Sequence, residues 1–294
     1  MDDFGRTPNG GCPGIASPAS ASHAGPCANS VTPHHIRQQQ RGLRMSVKLL
    51  DLRDPARSAT ERVQLAAEFT HELDALFTHR TRLPRRRLRE IVAGYDSLLH
   101  EQLLPELAAE GLQFVEWADL SAMERTQAHR RFHRAVYPLL TPLAVDSTHP
   151  VPRTRSLAIN LGVRVGDQLV HLTMPPQVRR MLPIRAGRYL AIESVVAAAL
   201  PELLVGVRIA EHAAYRITRG ATTGKVSRLE VEHRASDRLV ALLSSRLDVA
   251  DGDVYRLSSG LAMGDAFAVE PRPAQPVPRP LAPAATRTRT EESA

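Results

Sequence analysis

The sequence predicts an α+β protein: a small helical N-terminal domain followed by an α+β middle domain with a mainly antiparallel sheet. Three observations predict it. Apolar residues recur at helical spacing from about Thr60 to Leu107, strict alternation takes over at Leu157–Val165, and later segments mix strand-length and helix-length apolar patterns. A hydrophobic fraction of 43% over 294 residues is enough to give both parts a core.

The elements follow in order. Residues 1–44 are poor in large apolar side chains and rich in Gly, Pro, Ala and Ser, so a disordered leader is expected, with ordered structure from Met45. Val63, Leu65, Ala66, Phe69, Leu73, Leu76 and Phe77 predict a helix over 60–78. A second helix begins at Pro84, whose fixed φ suits a first helical position, and carries apolar residues to Leu107. Pro105 predicts a kink or break within it, and Gly111 a C-terminal cap. Ser121-Ala122-Met123-Glu124 is a capping box that starts a third helix ending near Tyr137. Leu157–Val165 predicts a half-buried strand, Gly166-Asp167 a turn, and Leu169–Met174 the returning strand. Beyond it are expected a helix at 188–204, strands at 206–211, 214–219 and 226–232, a helix at 235–247 and a strand at 253–257. The domain boundaries expected are 45–118 and 119–270, followed by a disordered Pro/Arg-rich tail at 271–294.

The formal net charge is +7, and all but two of the 38 basic residues are arginine, the exceptions being Lys48 and Lys225. Such a balance favours polyanionic partners, although heavy Arg and Ala usage also follows from GC-rich codon bias, so local clusters carry more weight than the total. Arg80, Arg82, Arg85, Arg86, Arg87 and Arg89 form such a cluster and are candidate polyanion-binding residues. Cations in the first turns of a helix oppose its dipole, and a bound polyanion would relieve that; pairing with nearby carboxylates such as Glu90 and Asp96 is the alternative. Cys12 and Cys27 lie in the leader and give neither a disulfide framework nor a metal motif. No run is long and apolar enough to cross a membrane.

Several motifs fail on spacing. Gly220-Ala221-Thr222-Thr223-Gly224-Lys225-Val226 has one residue too few between its glycines for a phosphate loop, and Val226 stands where a hydroxyl residue is needed, so an inter-strand turn is expected. His129 and His133 stand one helical turn apart, but the sequence offers no evident third ligand, and no metal site is expected. No catalytic residue is assigned.

One stretch is more specific. Tyr137-Pro138-Leu139-Leu140-Thr141-Pro142-Leu143-Ala144-Val145-Asp146, then His149-Pro150-Val151-Pro152, then Ser156-Leu157-Ala158-Ile159-Asn160-Leu161 closely resembles a junction in the long-chain, histidine-phosphorylating polyphosphate kinases. Leu103-Leu104-Pro105-Glu106-Leu107, Tyr215-Arg216-Ile217-Thr218-Arg219 and Asp253-Val254-Tyr255-Arg256-Leu257 extend the resemblance over roughly 52–265. It implies the family's N-terminal and middle domains, with the first N-terminal helix missing. It also implies ATP and Mg²⁺ as cofactors of the family reaction, which moves the terminal phosphate of ATP onto polyphosphate through a phosphohistidine. The family's phosphohistidine domains follow the middle domain, and none is recognised here. The expectation is therefore a truncated relative, non-catalytic alone, with a scaffolding, dimerising or polyphosphate-binding role in the cytoplasm.

Polyphosphate, a full-length polyphosphate kinase subunit or a second copy of the chain are the partners this implies. The alternatives are one part of a functional ATP:polyphosphate phosphotransferase completed by a separate catalytic half, and a general polyanion-binding protein. By the same resemblance Glu72 occupies the position of an Asn that holds the nucleotide base. A carboxylate only accepts hydrogen bonds, where an amide also donates, which argues against that mode of ATP binding.

Overall fold

The computed structural model describes residues 33–79, 83–146, 148–149, 151–152 and 154–267. Helix α1 (Pro33–Arg53) opens the described chain. Its start, ahead of Met45, corrects the expectation of an irregular segment up to residue 44: Met45 and Leu52 are both fully buried, and packing against the next helix supplies what composition lacked. Helix α2 (Ala59–Thr78) begins at a capping box in which the Ser58 side chain accepts from the Glu61 N–H and the Glu61 carboxylate accepts from the Ser58 N–H. Arg62, itself buried, donates to the Leu52 carbonyl at 2.8 Å and pairs with Glu106, tying the end of α1 to a later helix.

Helix α3 (Arg85–Leu98) starts just after Pro84, as expected. It passes through a wide π-type turn at Leu99–Leu103 into α4 (Leu104–Ala109). The Leu104 N–H reaches back five residues to Leu99, so the chain bulges next to Pro105 instead of breaking. Gly111, at φ +91°, caps α4, with the Leu112 N–H donating to the Leu107 carbonyl.

Strand β1 (Gln113–Val115) was not foreseen, and it pairs with a strand from beyond residue 118. Helix α5 (Ala122–Ala135) carries the predicted Ser121/Glu124 box. Strand β2 (Leu143–Val145) follows the proline-rich turn, and β3 (Ile159–Val165) and β4 (Gln168–Thr173) form the predicted hairpin around Gly166 at φ +58°. Strand β3 is not half-buried as expected: Ile159 to Val163 are all buried, because helices cover both its faces.

Strands β5 (Met181–Arg185) and β6 (Arg188–Ala191) form a second hairpin. This corrects the helix expected from 188, which begins only at α6 (Ile192–Ala198) and continues as α7 (Leu200–Leu203). The reason is tertiary. Gly187 is at φ +72°, and a Cβ there would fall 1.9 Å from the Gly111 carbonyl oxygen, so the chain turns tightly and β6 pairs in parallel with β1. A single strand β7 (Glu211–Arg219) replaces the two short strands expected at 206–211 and 214–219, since pairing with β3 begins only at Glu211. Strand β8 (Val226–Glu232), α8 (Asp237–Leu247), β9 (Val254–Leu257) and α9 (Met263–Phe267) complete the described fold. The loop at 220–225 is the predicted inter-strand turn, closed by Gly220 N–H to Lys225 carbonyl at 2.9 Å.

The main sheet has order β2-β4-β3-β7-β8-β9, antiparallel except for β8 with β9. Helix α8 covers one face, placing Leu239, Leu243 and Leu247 against Tyr215, Ile217, Leu229 and Val231. The other face receives α6 over β3 and α2 over β7 and β8. Gly162 lets α8 approach β3 closely: a Cβ there would stand 3.2 Å from Leu243 and 3.4 Å from the Tyr215 ring. Gly162→Val should overpack this layer and cost about 1–3 kcal/mol in urea denaturation. An unchanged midpoint would mean that α8 sits further from the sheet.

Candidate functional site

The sheet face under α2 carries charge. Arg216 and Thr218 on β7 alternate with Tyr215 and Ile217, and their cross-strand partners on β8 are Glu230 and Arg228. On a solvated sheet this alternation is ordinary. Here α2 lies over it and contributes Asp74. The Arg216 guanidinium donates to both Asp74 oxygens at 3.0 and 2.8 Å and to Glu230 at 2.5 Å. Arg228, fully buried, donates to Asp74 and to the Thr218 hydroxyl, lies 3.2 Å from Glu230 without hydrogen-bond alignment, and stacks on Phe77 with its guanidinium carbon 4.4 Å from the ring centre.

Two positive and two negative groups thus balance in a site closed to solvent. Burial alone would raise the Asp74 carboxyl, but Arg216 and Arg228 outweigh it and hold the group below its usual range. Burial likewise opposes the charge on Arg216, and Glu230 and Asp74 more than restore it. Beside this quartet Tyr95 donates to the Ala66 carbonyl at 2.7 Å and meets Thr70 at 2.8 Å. Sequence reading missed the quartet; the one available signal was three charged residues in strand-like registers.

The predicted site residues are placed differently. Glu72 is half-exposed and accepts from Lys48 at 2.7 Å, with Glu68 as the second acceptor at 3.2 Å. It lines an open recess with Arg44, Met45, Ala75 and His79, and it shares the Lys48 ammonium with Glu68. Arg80 and Arg82 lie outside the described residues. Arg85 donates to Asp253 at 2.9 Å and Arg89 to the Asp251 carbonyl at 3.0 Å, so both fasten α3 to the turn before β9. Arg86 donates to Glu90 at 3.0 Å and Arg87 to Glu90 at 3.1 Å and to Ser46 at 2.7 Å. Arg86 keeps 92% of its side chain exposed. Asp96 is not an arginine partner; it accepts from the Ser258 and Ser259 backbone N–H groups and the Ser259 hydroxyl.

On the opposite face, His171 is buried between Tyr215 (2.5 Å) and Thr173 (2.9 Å), and Thr173 donates to Asn160. Burial lowers the imidazole to about 4. His129 and His133 are brought together by α5, and Glu202 on α7, the third donor the sequence did not reveal, meets both.

Fold and site together define an α+β assembly in which a helical module is locked onto an antiparallel sheet by buried charge pairs. Residues 123–223 match the family model described as the polyphosphate kinase middle domain. A polyphosphate kinase from Streptomyces coelicolor is 28% identical over 289 residues, covering 80% of this chain and 39% of its own length. One from Mycolicibacterium gilvum is 31% identical over 265 residues, covering 69% and 36%. The crystal structure of polyphosphate kinase from Porphyromonas gingivalis superposes with a TM-score of 0.68 at 19% identity over 84% of this chain and 43% of that one, a likeness of fold. The segment 123–223 therefore belongs to the polyphosphate kinase middle-domain family, and the chain is a relative of these proteins. It spans about two fifths or less of the length of the curated relatives named here. Among the described residues no helix is long and apolar enough to cross a membrane.

Two outcomes follow. Asp74→Ala leaves two buried guanidinium groups with one carboxylate and should cost about 3–5 kcal/mol in chemical denaturation, while Arg86→Ala should change stability by less than about 0.5 kcal/mol. For His171 the folded value lies below the ordinary one, so the unfolded chain binds its proton first as pH falls. Stability should drop by an amount on the order of 3 kcal/mol from pH 6.5 to 4. His171→Gln should flatten that part of the profile; an identical profile in the variant would remove His171 as its cause.

Proposed function

We propose that this chain is the scaffold portion of a polyphosphate kinase: it presents the helical and middle modules as one body, engages polyphosphate, and does not carry out phosphotransfer by itself. The observation that carries the reading is the junction of the two modules. The segment that matches the middle-domain family reaches into β7, and β7 and β8 are bolted to the helical module through Asp74, Arg216, Arg228 and Glu230. Such a junction fixes the relative position of two surfaces, which a tunnel wall or a subunit contact requires.

Polyphosphate is the proposed ligand because the first turn of α3 carries three arginines and no acidic residue, opposed to the helix dipole, and Arg86 and Arg87 project from it. Their partner Glu90 is exposed and exchangeable, whereas Arg85 and Arg89 are committed to the 251–253 turn. Of the histidines with defined partners, His171 favours a non-catalytic role: it is buried with both ring nitrogens engaged by Tyr215 and Thr173, so it offers none to an incoming phosphoryl group. Glu72, closed by Lys48, is poorly suited to hold a nucleotide base.

A second reading rests on the share of the relatives that the chain spans. Joined to the remainder of such an enzyme, on one polypeptide or as a separate subunit, the same scaffold would serve an ATP:polyphosphate phosphotransferase in the cytoplasm. Fluorescence anisotropy with labelled polyphosphate tests the ligand. Arg86→Ala with Arg87→Ala should weaken binding several-fold and reduce its salt dependence; unchanged affinity and slope would move the site elsewhere. Incubation of the chain with labelled ATP and Mg²⁺ should yield neither acid-stable polymer nor acid-labile phosphoprotein, and the appearance of either would overturn the non-catalytic part.

A further inference from the structure

His129 and His133 are four residues apart on α5, so their side chains leave the same face of the helix one turn apart. Their rings meet edge to face at 4.5 Å between centres. Phe132, fully buried between them in sequence, anchors that stretch of α5, and His133 also packs on Phe132 and Tyr137. Across from them, Glu202 sits in the first turn of α7, directly after Pro201. One carboxylate oxygen lies 2.6 Å from Nε2 of His129 and the other 2.9 Å from Nε2 of His133. The three donor groups lie within 4.8 Å of one another.

We propose that His129, His133 and Glu202 form a binding site for a divalent transition-metal ion of the zinc class. Two imidazoles and one carboxylate are a borderline donor set, suited to Zn²⁺, Co²⁺ or Ni²⁺ and ill-suited to Mg²⁺ or Ca²⁺, which take oxygen ligands. Zinc–nitrogen bonds of about 2.0–2.1 Å put tetrahedral donors roughly 3.4 Å apart, so each carboxylate oxygen moves out from its 2.6 or 2.9 Å contact with a ring nitrogen to admit the ion. The ion takes the place of the ring hydrogen that Nε2 shares with the carboxylate, each neutral imidazole carrying its proton on Nδ1 instead. His133 and Glu202 are 42% and 45% exposed, so an ion reaches the site without unfolding, and a fourth position stays open to water. The ion fastens α5 to α7, which the His129–Glu202 and His133–Glu202 contacts already join.

Isothermal titration of the full chain with Zn²⁺ tests this after chelator treatment, with Cys12→Ala and Cys27→Ala present to remove competing thiols. One equivalent should bind well above the background of the other surface histidines, and the melting temperature should rise with it. Glu202→Gln keeps the shape and a hydrogen-bond acceptor but loses the charge; it should weaken binding about 10–100-fold while leaving the metal-free melting temperature unchanged. His129→Ala with His133→Ala should abolish the stoichiometric phase, and His149→Ala should leave it intact. A Co²⁺-loaded sample should show the visible absorption of a four-coordinate nitrogen–oxygen site. Zinc binding that is equal in the parent and in the double-histidine variant, or no stoichiometric phase in the parent, would overturn the proposal.

Discussion

The buried quartet of Asp74, Arg216, Arg228 and Glu230 is the constraint on which the assembly depends. Each member is expensive to bury alone and acceptable only with the others. Asp74 comes from the helical module and the remaining three from the sheet, so the two modules cannot separate without exposing unpaired charge. Replacing a buried ion set with apolar residues of similar volume can give equal stability, but an apolar junction would slide; bidentate pairing of a guanidinium with a carboxylate fixes register as well as proximity. Arg216 holds Asp74 with two donors and Glu230 with a third, and so sets the rotation of α2 about its own axis over β7 and β8.

The rest of the junction follows that placement. With α2 fixed, Phe77 lies on Arg228, and Thr70 meets both Tyr95 and the helix α9, whose Gly264 leaves room for the Thr70 side chain. Helix α3 then reaches the far edge of the sheet, where Arg85, Arg89 and Asp96 bind the segments before and after β9. Two of the four described members of the arginine cluster, Arg85 and Arg89, are therefore structural. The start of α3 is left to Arg86 and Arg87, which share Glu90, while Arg87 also reaches Ser46 on α1.

Much of the architecture was legible in the sequence because local chemistry decided it. The Ser121/Glu124 box, the glycines at 111, 166 and 220–224, and the 3.6-residue periods of α2, α3 and α8 each correspond to hydrogen bonds or dihedrals made within a few residues. Failures occurred where a distant partner decided. Strand β6 reads as the first turn of a helix until β1 offers it a parallel edge and Gly187 turns the chain against Gly111. The part of α1 ahead of Met45 reads as a leader, although it continues into the turns that bury Met45 and Leu52. The metal-type triad was invisible because Glu202 lies 69 residues beyond His133 and sits in a four-residue helix that carries no motif of its own.

The sequence by itself determined helices α2, α3, α5 and α8, the β3–β4 hairpin, strands β8 and β9, and the junction pattern that marks a polyphosphate kinase relative. These depend on backbone preference and on side-chain period, which neighbours in the chain set. The tertiary structure alone decided which polar groups are free to act. Arg216, Arg228 and Glu230 look like a solvated strand face, and the arginines of α3 look like a uniform basic patch. Only the covering helix and the 251–253 turn separate those consumed in folding from those left exposed, because whether a charge is available depends on what lies opposite it in space.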